Sequence, residues 1–207
     1  MLNASEAAKW FICHNPELAS GYIEENTKVN KLLYFSNLMG YCVDHERLIA
    51  ENFIAFPNGP VVYEVYRDYR YHGLNALPKE SPVIVGRPRR ILDIVNFVYG
   101  GMSAEQLVEE SHSHALWKNV RSRIPNNPMI DFTKVEPELE VYYRTLYDTY
   151  SDMDFEKLQK VKIGGCTYYY DRNELVMTEE ILKQLSMACQ SNEPRFLELI
   201  DGELVIS

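Results

Sequence analysis

No apolar run in this 207-residue chain reaches the ~18–20 residues that a bilayer-spanning helix needs, so no membrane span is expected. The opening stretch MLNASEAAKW has neither a basic n-region nor an apolar h-region; no secretory signal is expected, and the cytoplasm is the expected compartment. Cysteine is sparse. Cys13, Cys42, Cys166 and Cys189 lie far apart with no CxxC pair, and without an export signal they are expected to be free thiols. GxSxG, the P-loop and GxGxxG are all absent, which removes the hydrolase elbow and the common phosphate cradles. Repeats and low-complexity segments are absent too. Basic charge is in deficit, with 21 Lys+Arg against 30 Asp+Glu and a net of −9. Residues 125–207 hold 8 of the former and 16 of the latter, so nearly all the excess falls there. Such a region repels phosphates, and no nucleic-acid partner is expected. It would steer a basic protein partner, or it is simply a solvated acidic surface.

What is present is an ordinary globular composition, 46% hydrophobic and 25% charged. Asn3 and Glu6 have capping-box form and open a helix of about Ser5 to Cys13, stopped by His14-Asn15-Pro16. Thr27 can cap a second helix with Val29, Leu32, Leu33, Phe35 and Leu38-Met39 on a wide apolar stripe, ended at Gly40. Glu51–Phe56 reads as a short strand, after which Pro57-Asn58-Gly59-Pro60 turns into a helix with Pro60 at its first position. Asn75–Arg89 is loop-like, Ile91–Tyr99 a compact helix, and Ser103 with Gln106 a second capping box. A further turn or helix carries Trp117 and Val120. The sequence IPNNP at Ile124–Pro128 marks a boundary, followed by a helix from Pro137 to about Tyr150. Beyond it, two strands are expected around an Asp171-Arg172-Asn173 turn, with Gly164-Gly165 as a bend or bulge. Thr178 caps a short helix, and FLELIDGELVIS reads as a hairpin about Asp201-Gly202.

Catalytic equipment is hard to assemble from these residues. His112 and His114 form the one close histidine pair among His14, His45, His72, His112 and His114, and on a helix that spacing splits them between faces. No third ligand lies at diagnostic spacing, so no metal, cofactor or catalytic residue is expected. Asp152, Asp154 and Glu156 read as a solvated linker. Aromatic residues make up 12% of the chain, with Tyr63, Tyr66, Tyr69 and Tyr71 crowded on one helix and Tyr142, Tyr143, Tyr147 and Tyr150 on another. Tyrosine gives large contact area with few torsions to freeze, which suits recognition, although core packing uses it as well.

Three stretches stand out: TKVNKLLYFSNLMGY (27–41), FPNGPVVYEVYRDYR (56–70) and LVEESHSHALWKNVR (107–121). The Lys31-Leu32-Leu33-Tyr34 run, the Gly59-Pro60-Val61 turn with Tyr66 behind it, and Ser111-His112 five positions before Trp117 occur in that order. This ordered set resembles the Panacea domain of SocA-like antitoxins from bacterial and phage toxin–antitoxin systems, across roughly residues 1–124. Two positions depart from the pattern: Phe56 stands where tryptophan is usual, and Leu116 where proline often precedes the tryptophan. The resemblance implies an α+β, mainly α-helical protein: a Panacea-like helical domain at 1–124 with a short strand or hairpin. An acidic α+β extension with a hairpin follows at 125–207. It implies a non-catalytic antitoxin whose partner is a cognate toxin protein. Some family members are similar in delivering the bound protein to an AAA+ protease, the alternative reading. Partner-binding residues carried over are Lys31, Tyr34, Asn58, Gly59, Pro60, Val61, Tyr66, His112 and Trp117, which could equally hold the fold.

Overall fold

Helix α2 (Ile23–Asp44) is surrounded on every side, because every residue from Val29 to Gly40 is buried. A helix with no solvent face is the axis around which others pack. The protein is seen here as a computed structural model that describes residues 1–71, 74, 80–123, 128–188, 195–200 and 202–206. Its described residues form eight α-helices and two small sheets and divide into two compact units, Met1–Ser151 and Asp152–Ser207. This is an α+β, mainly helical protein. No helix among the described residues is long and apolar enough to cross a membrane.

In the first unit α1 (Ala4–His14) starts where Asn3 Oδ1 accepts from the N–H groups of Ser5 and Glu6 at 2.9 and 3.3 Å. A 3₁₀ turn at Pro16–Ala19 leads into α2. Strands β1 (Phe53–Phe56) and β2 (Gly59–Val62) form an antiparallel hairpin, and α3 (Tyr63–Arg70) follows without a break. Helices α4 (Gly86–Tyr99), α5 (Ala104–Ser113) and α6 (Ala115–Arg123) complete the expected order. The capping box of α5 is complete: Ser103 Oγ accepts from Gln106 N–H, and Gln106 Oε1 accepts from Ser103 N–H. Helix α7 (Pro137–Tyr150), expected to begin the extension, docks in this first unit. Arg144 Nε donates to the Cys42 carbonyl of α2 at 2.7 Å, and the Tyr99 hydroxyl donates to that of Tyr143 at 3.1 Å. The break in compactness follows α7, whereas the sequence signal for a boundary lies at Ile124–Pro128, of which Pro128 alone is described.

Local signals failed where packing outweighs them. Thr27 does not cap α2; its hydroxyl donates to the Ile23 carbonyl one turn back, and the helix begins at Ile23. Gly40 does not end it either. The chain stays helical to Asp44 and stops at His45, whose φ of 58° is left-handed. Gly40 is instead a point of close approach, since a Cβ there would lie 2.9 Å from Leu48 Cβ. Pro60 lies in strand β2 rather than in the first turn of a helix.

The second unit is a four-stranded sheet in the order β3 (Leu158–Ile163), β4 (Cys166–Asp171), β5 (Arg195–Ile200), β6 (Glu203–Ile206). The first turn falls at Gly164-Gly165, not at Asp171–Asn173, because both glycines take positive φ (60° and 93°) as a tight two-residue hairpin loop demands. Asp171–Asn173 ends β4. Helix α8 (Glu179–Ala188), capped by Thr178 Oγ1, makes the crossover between the parallel pair β4 and β5. Its Leu185 packs with Cys166, Tyr168, Leu175 and Leu197 in a small core, and Tyr168 donates its hydroxyl to the Leu185 carbonyl. The pair β5–β6 is the hairpin expected from the sequence; its Gly202 has φ 84°, while Asp201 lies outside the described residues. Cys13 and Cys42 are free thiols, but Cys166 is disulfide-bonded, a pairing that chain spacing gave no means to foresee.

Gly40→Ala should destabilise the protein by about 1–2 kcal/mol: overpacking against Leu48 outweighs the roughly 1 kcal/mol of helix propensity gained. Urea unfolding checks this, and an unchanged or raised midpoint would show that Leu48 can move aside.

Candidate functional site

The geometry of the hairpin follows from its hydrogen-bond alternation. Ala55 N–H donates to the Pro128 carbonyl at 2.9 Å, and the Phe53 carbonyl accepts from Ile130 N–H at 2.8 Å. Those groups of β1 therefore point away from β2. Pro60, opposite Ala55, sits where no N–H is needed, so its ring costs the ladder nothing. By the same alternation the Pro60 carbonyl and the Val62 N–H point outward from β2, toward α2. Buried there, they need partners. Lys31 Nζ donates to the Pro60 carbonyl at 3.1 Å, and Asn30 Oδ1 accepts from Val62 N–H at 3.0 Å. Asn30 Nδ2 in turn donates to Asn26 Oδ1, and Asn26 Nδ2 donates to the Tyr66 carbonyl of α3.

Gly59 has a φ of 93°, and no other residue would fit beside it: a Cβ would fall 2.5 Å from Lys31 Cε and 2.6 Å from Ser111 Oγ. From the other side α5 and α6 grip the turn. His112 hydrogen-bonds the Pro57 backbone and stacks on Trp117 with ring centres 3.7 Å apart, while Trp117 Nε1 donates to the Phe56 carbonyl at 3.0 Å. Burial, and then the charges of Lys31 and Lys118, hold His112 below its usual range, so it is neutral at pH 7. One turn of α2 beyond Lys31, the Tyr34 hydroxyl shares a 3.0 Å hydrogen bond with His114 Nδ1, whose other ring nitrogen lies 3.6 Å from Glu110. Desolvation pushes Tyr34 well above the usual tyrosine range.

The residues carried over from the sequence thus separate into two sets. Lys31, Tyr34, Gly59 and Pro60 are buried in the latch between α2, the hairpin and α5. Asn58 is exposed, and Tyr66, His112 and Trp117 are half-buried, with Val61 beneath them at 5% exposure. His112 and His114 occupy different environments, and among the described residues no group of three or more His, Cys, Asp or Glu could hold a metal. Sequence reasoning missed Asn26 and Asn30, and it noted Ser111 and His114 without carrying them over to the site. The signal for both was there: Asn26, Asn30 and Tyr34 recur every four residues, which places their polar groups along one face of α2.

Beside the hairpin lies a cavity of about 190 Å³ walled by Phe56, Pro57, Val61 and Tyr66 on one side and Ile23, Thr27, Asn30 and Lys31 on the other, with Asn58 between. A second space of about 410 Å³ adjoins it, with Ile23, Thr27 and Asn58 common to both, and extends to Ser103, Glu105 and Val108 at the start of α5. Exposed apolar residues collect here: Tyr22, Tyr63 and, at 79% exposure, Ile23.

The described residues thus form a helical scaffold with a latched hairpin and an aromatic-walled groove. More particularly, residues 29–118 match the model of the antitoxin SocA-like, Panacea domain family. The match takes in residues 56–70 whole and most of 27–41 and 107–121, and it leaves α1, α7 and the second unit outside. No curated protein and no solved structure matches the chain.

Burial lowers the Lys31 ammonium from 10.5 to about 7. An unfolded chain keeps that proton up to about pH 10.5, while the folded protein releases it near 7. Stability attributable to Lys31 is therefore lost below pH 7 and gained on raising the pH, by about 1.4 kcal/mol per unit. Cys42, pushed up to about 12, and the buried tyrosines act in the opposite sense from about pH 9 upward. Between pH 7 and about 8.5 the unfolding free energy should rise by about 2 kcal/mol in the wild type and stay flat in Lys31→Met. Parallel pH curves for the two proteins would show that Lys31 is not held neutral.

Proposed function

We propose that this protein is a proteinaceous antitoxin that binds and neutralises a cognate toxin protein of a bacterial or phage toxin–antitoxin system, without catalysis of its own. The observation that carries the reading is the coincidence of family match and geometry. The matched segment, 29–118, contains both the buried latch and most of the groove wall that the latch holds in place. Antitoxin action by binding needs a preformed surface, since every side chain ordered on association subtracts from affinity. Here Gly59, Pro60 and Lys31 fix the hairpin, and His112 with Trp117 braces it, so that Phe56, Asn58 and Tyr66 are presented in one arrangement before any partner arrives. The net charge of −9 adds a long-range preference for a basic partner.

The test is growth rescue. The product of the gene adjacent to this one is expressed alone and together with this chain. Arrest by the neighbour and recovery on co-expression are expected. Gly59→Arg, which cannot be seated between Lys31 and Ser111, should abolish recovery. A harmless neighbour, or arrest that persists with this chain well expressed, would remove the antitoxin reading.

A further inference from the structure

The two adjoining cavities differ in chemistry, and the difference specifies an occupant. The inner one, about 190 Å³, has Ile23, Phe56, Val61 and Tyr66 as its apolar wall, with Asn30 and Lys31 on its polar side. An apolar hole of about 150 Å³ accepts benzene, so this one has room for one aromatic or branched aliphatic side chain. The outer space brings in Glu24 and Glu105, from the first turns of α2 and α5. Acidic residues are favoured in a first helical turn, but that use leaves the carboxylate heads open to a second partner. Among the described residues neither makes an ion pair. At the opposite wall Arg70 donates to the Tyr66 hydroxyl at 3.1 Å, so cationic charge lies at the α3 end and anionic charge at the α5 end. The groove therefore has a direction. Exposed apolar residues adjoin it: Ile23 in its lining, Tyr22 next to Ile23 in the chain, and Tyr63 with its ring centre 6.4 Å from that of Phe56; on a water-facing surface such a patch marks a contact site.

We infer that this groove docks a segment of a partner protein in which a bulky apolar side chain stands next to a lysine or arginine. The apolar group fills the inner cavity, and the basic group lies over Glu24 and Glu105. The inference deepens the protein-binding reading above and rests on it for its biological meaning. Its physical test does not need the partner in hand.

The ¹⁵N-labelled full chain is titrated with three blocked dipeptides, acetyl-Phe-Arg-amide, acetyl-Phe-Glu-amide and acetyl-Ala-Arg-amide, while backbone amide shifts are followed. Acetyl-Phe-Arg-amide alone should give saturable shifts at Thr27, Asn58, Ser103 and Ala104, in the millimolar range suited to so small a ligand. Glu24→Gln with Glu105→Gln should weaken it about fivefold, the scale of two partly exposed charge pairs. Val61→Trp, which fills the inner cavity, should abolish it; the Gln pair, placed on exposed helix starts, keeps the test valid if that variant unfolds. Equal or better binding of acetyl-Phe-Glu-amide would overturn the inference in favour of an acidic segment. Shifts at these residues on simple dilution of the chain would overturn it in favour of a second copy. No saturable shift with any dipeptide would overturn it outright. Growth rescue separates the two levels. Full rescue by Glu24→Lys with Glu105→Lys would sink the groove and leave the antitoxin reading standing; a harmless neighbour would sink the antitoxin reading and leave the dipeptides to decide the groove.

Discussion

The first unit depends on how α2 satisfies the outward edge of a two-stranded hairpin. A strand edge buried against a helix normally leaves carbonyls and N–H groups without partners, at about 1–3 kcal/mol each. Here Lys31 and Asn30 supply the missing donor and acceptor, at Pro60 and Val62. The arrangement requires a lysine with no exposure at all, and desolvation lowers its proton affinity until it is close to neutral. A neutral amine donates a hydrogen bond in a dry interior without the cost of a buried charge. Gly59 is the geometric counterpart of this choice, since any Cβ would occupy the space of the Lys31 stem.

From this latch the remaining features follow in order. With the hairpin fixed on α2, the Pro57-Asn58 turn projects between α2 and α5. The His112–Trp117 stack then closes on it by bonding the Pro57 and Phe56 backbones. Helix α3, continuous with β2, is held by Asn26 through the Tyr66 carbonyl, which sets the far wall of the groove. The polar groups Lys31, Tyr34, His112 and His114 are each engaged in holding elements together. The shifted proton affinities of Lys31, Tyr34 and His112 have burial as their first cause.

Much of the helical layout was legible because it is written in local chemistry. Asn3, Ser103 and Thr178 cap the helices they were expected to cap, and Pro137–Tyr150 begins at its proline. Errors fell where long-range packing sets the outcome. Gly40 carries a stop signal, yet the surrounding core keeps α2 helical through it and uses its missing Cβ for Leu48. Pro60 reads as a helix start, but its place opposite an outward-facing Ala55 makes it a tolerable strand residue. The Gly164-Gly165 pair was read as a bend because nothing nearby shows that Ile163 and Cys166 face each other.

By itself the sequence determined the class of the fold, the order of its helices and three stretches that fall largely within the matched residues 29–118. Periodicity, caps and turn residues act within a few positions of one another, and such signals survive in a linear reading. The tertiary structure alone decided which of the matched residues are buried and which face out. A Lys, a Tyr and a Gly in motif positions look equally available on paper. Exposure depends on what comes to lie beside them from residues 29 to 80 positions away: Pro60 over Lys31, His114 against Tyr34, Ser111 beside Gly59. It also decided that Glu24 and Glu105, unremarked in the chain, flank an apolar hole. Two helix starts so distant in sequence meet only once α2 and α5 have packed against the same hairpin.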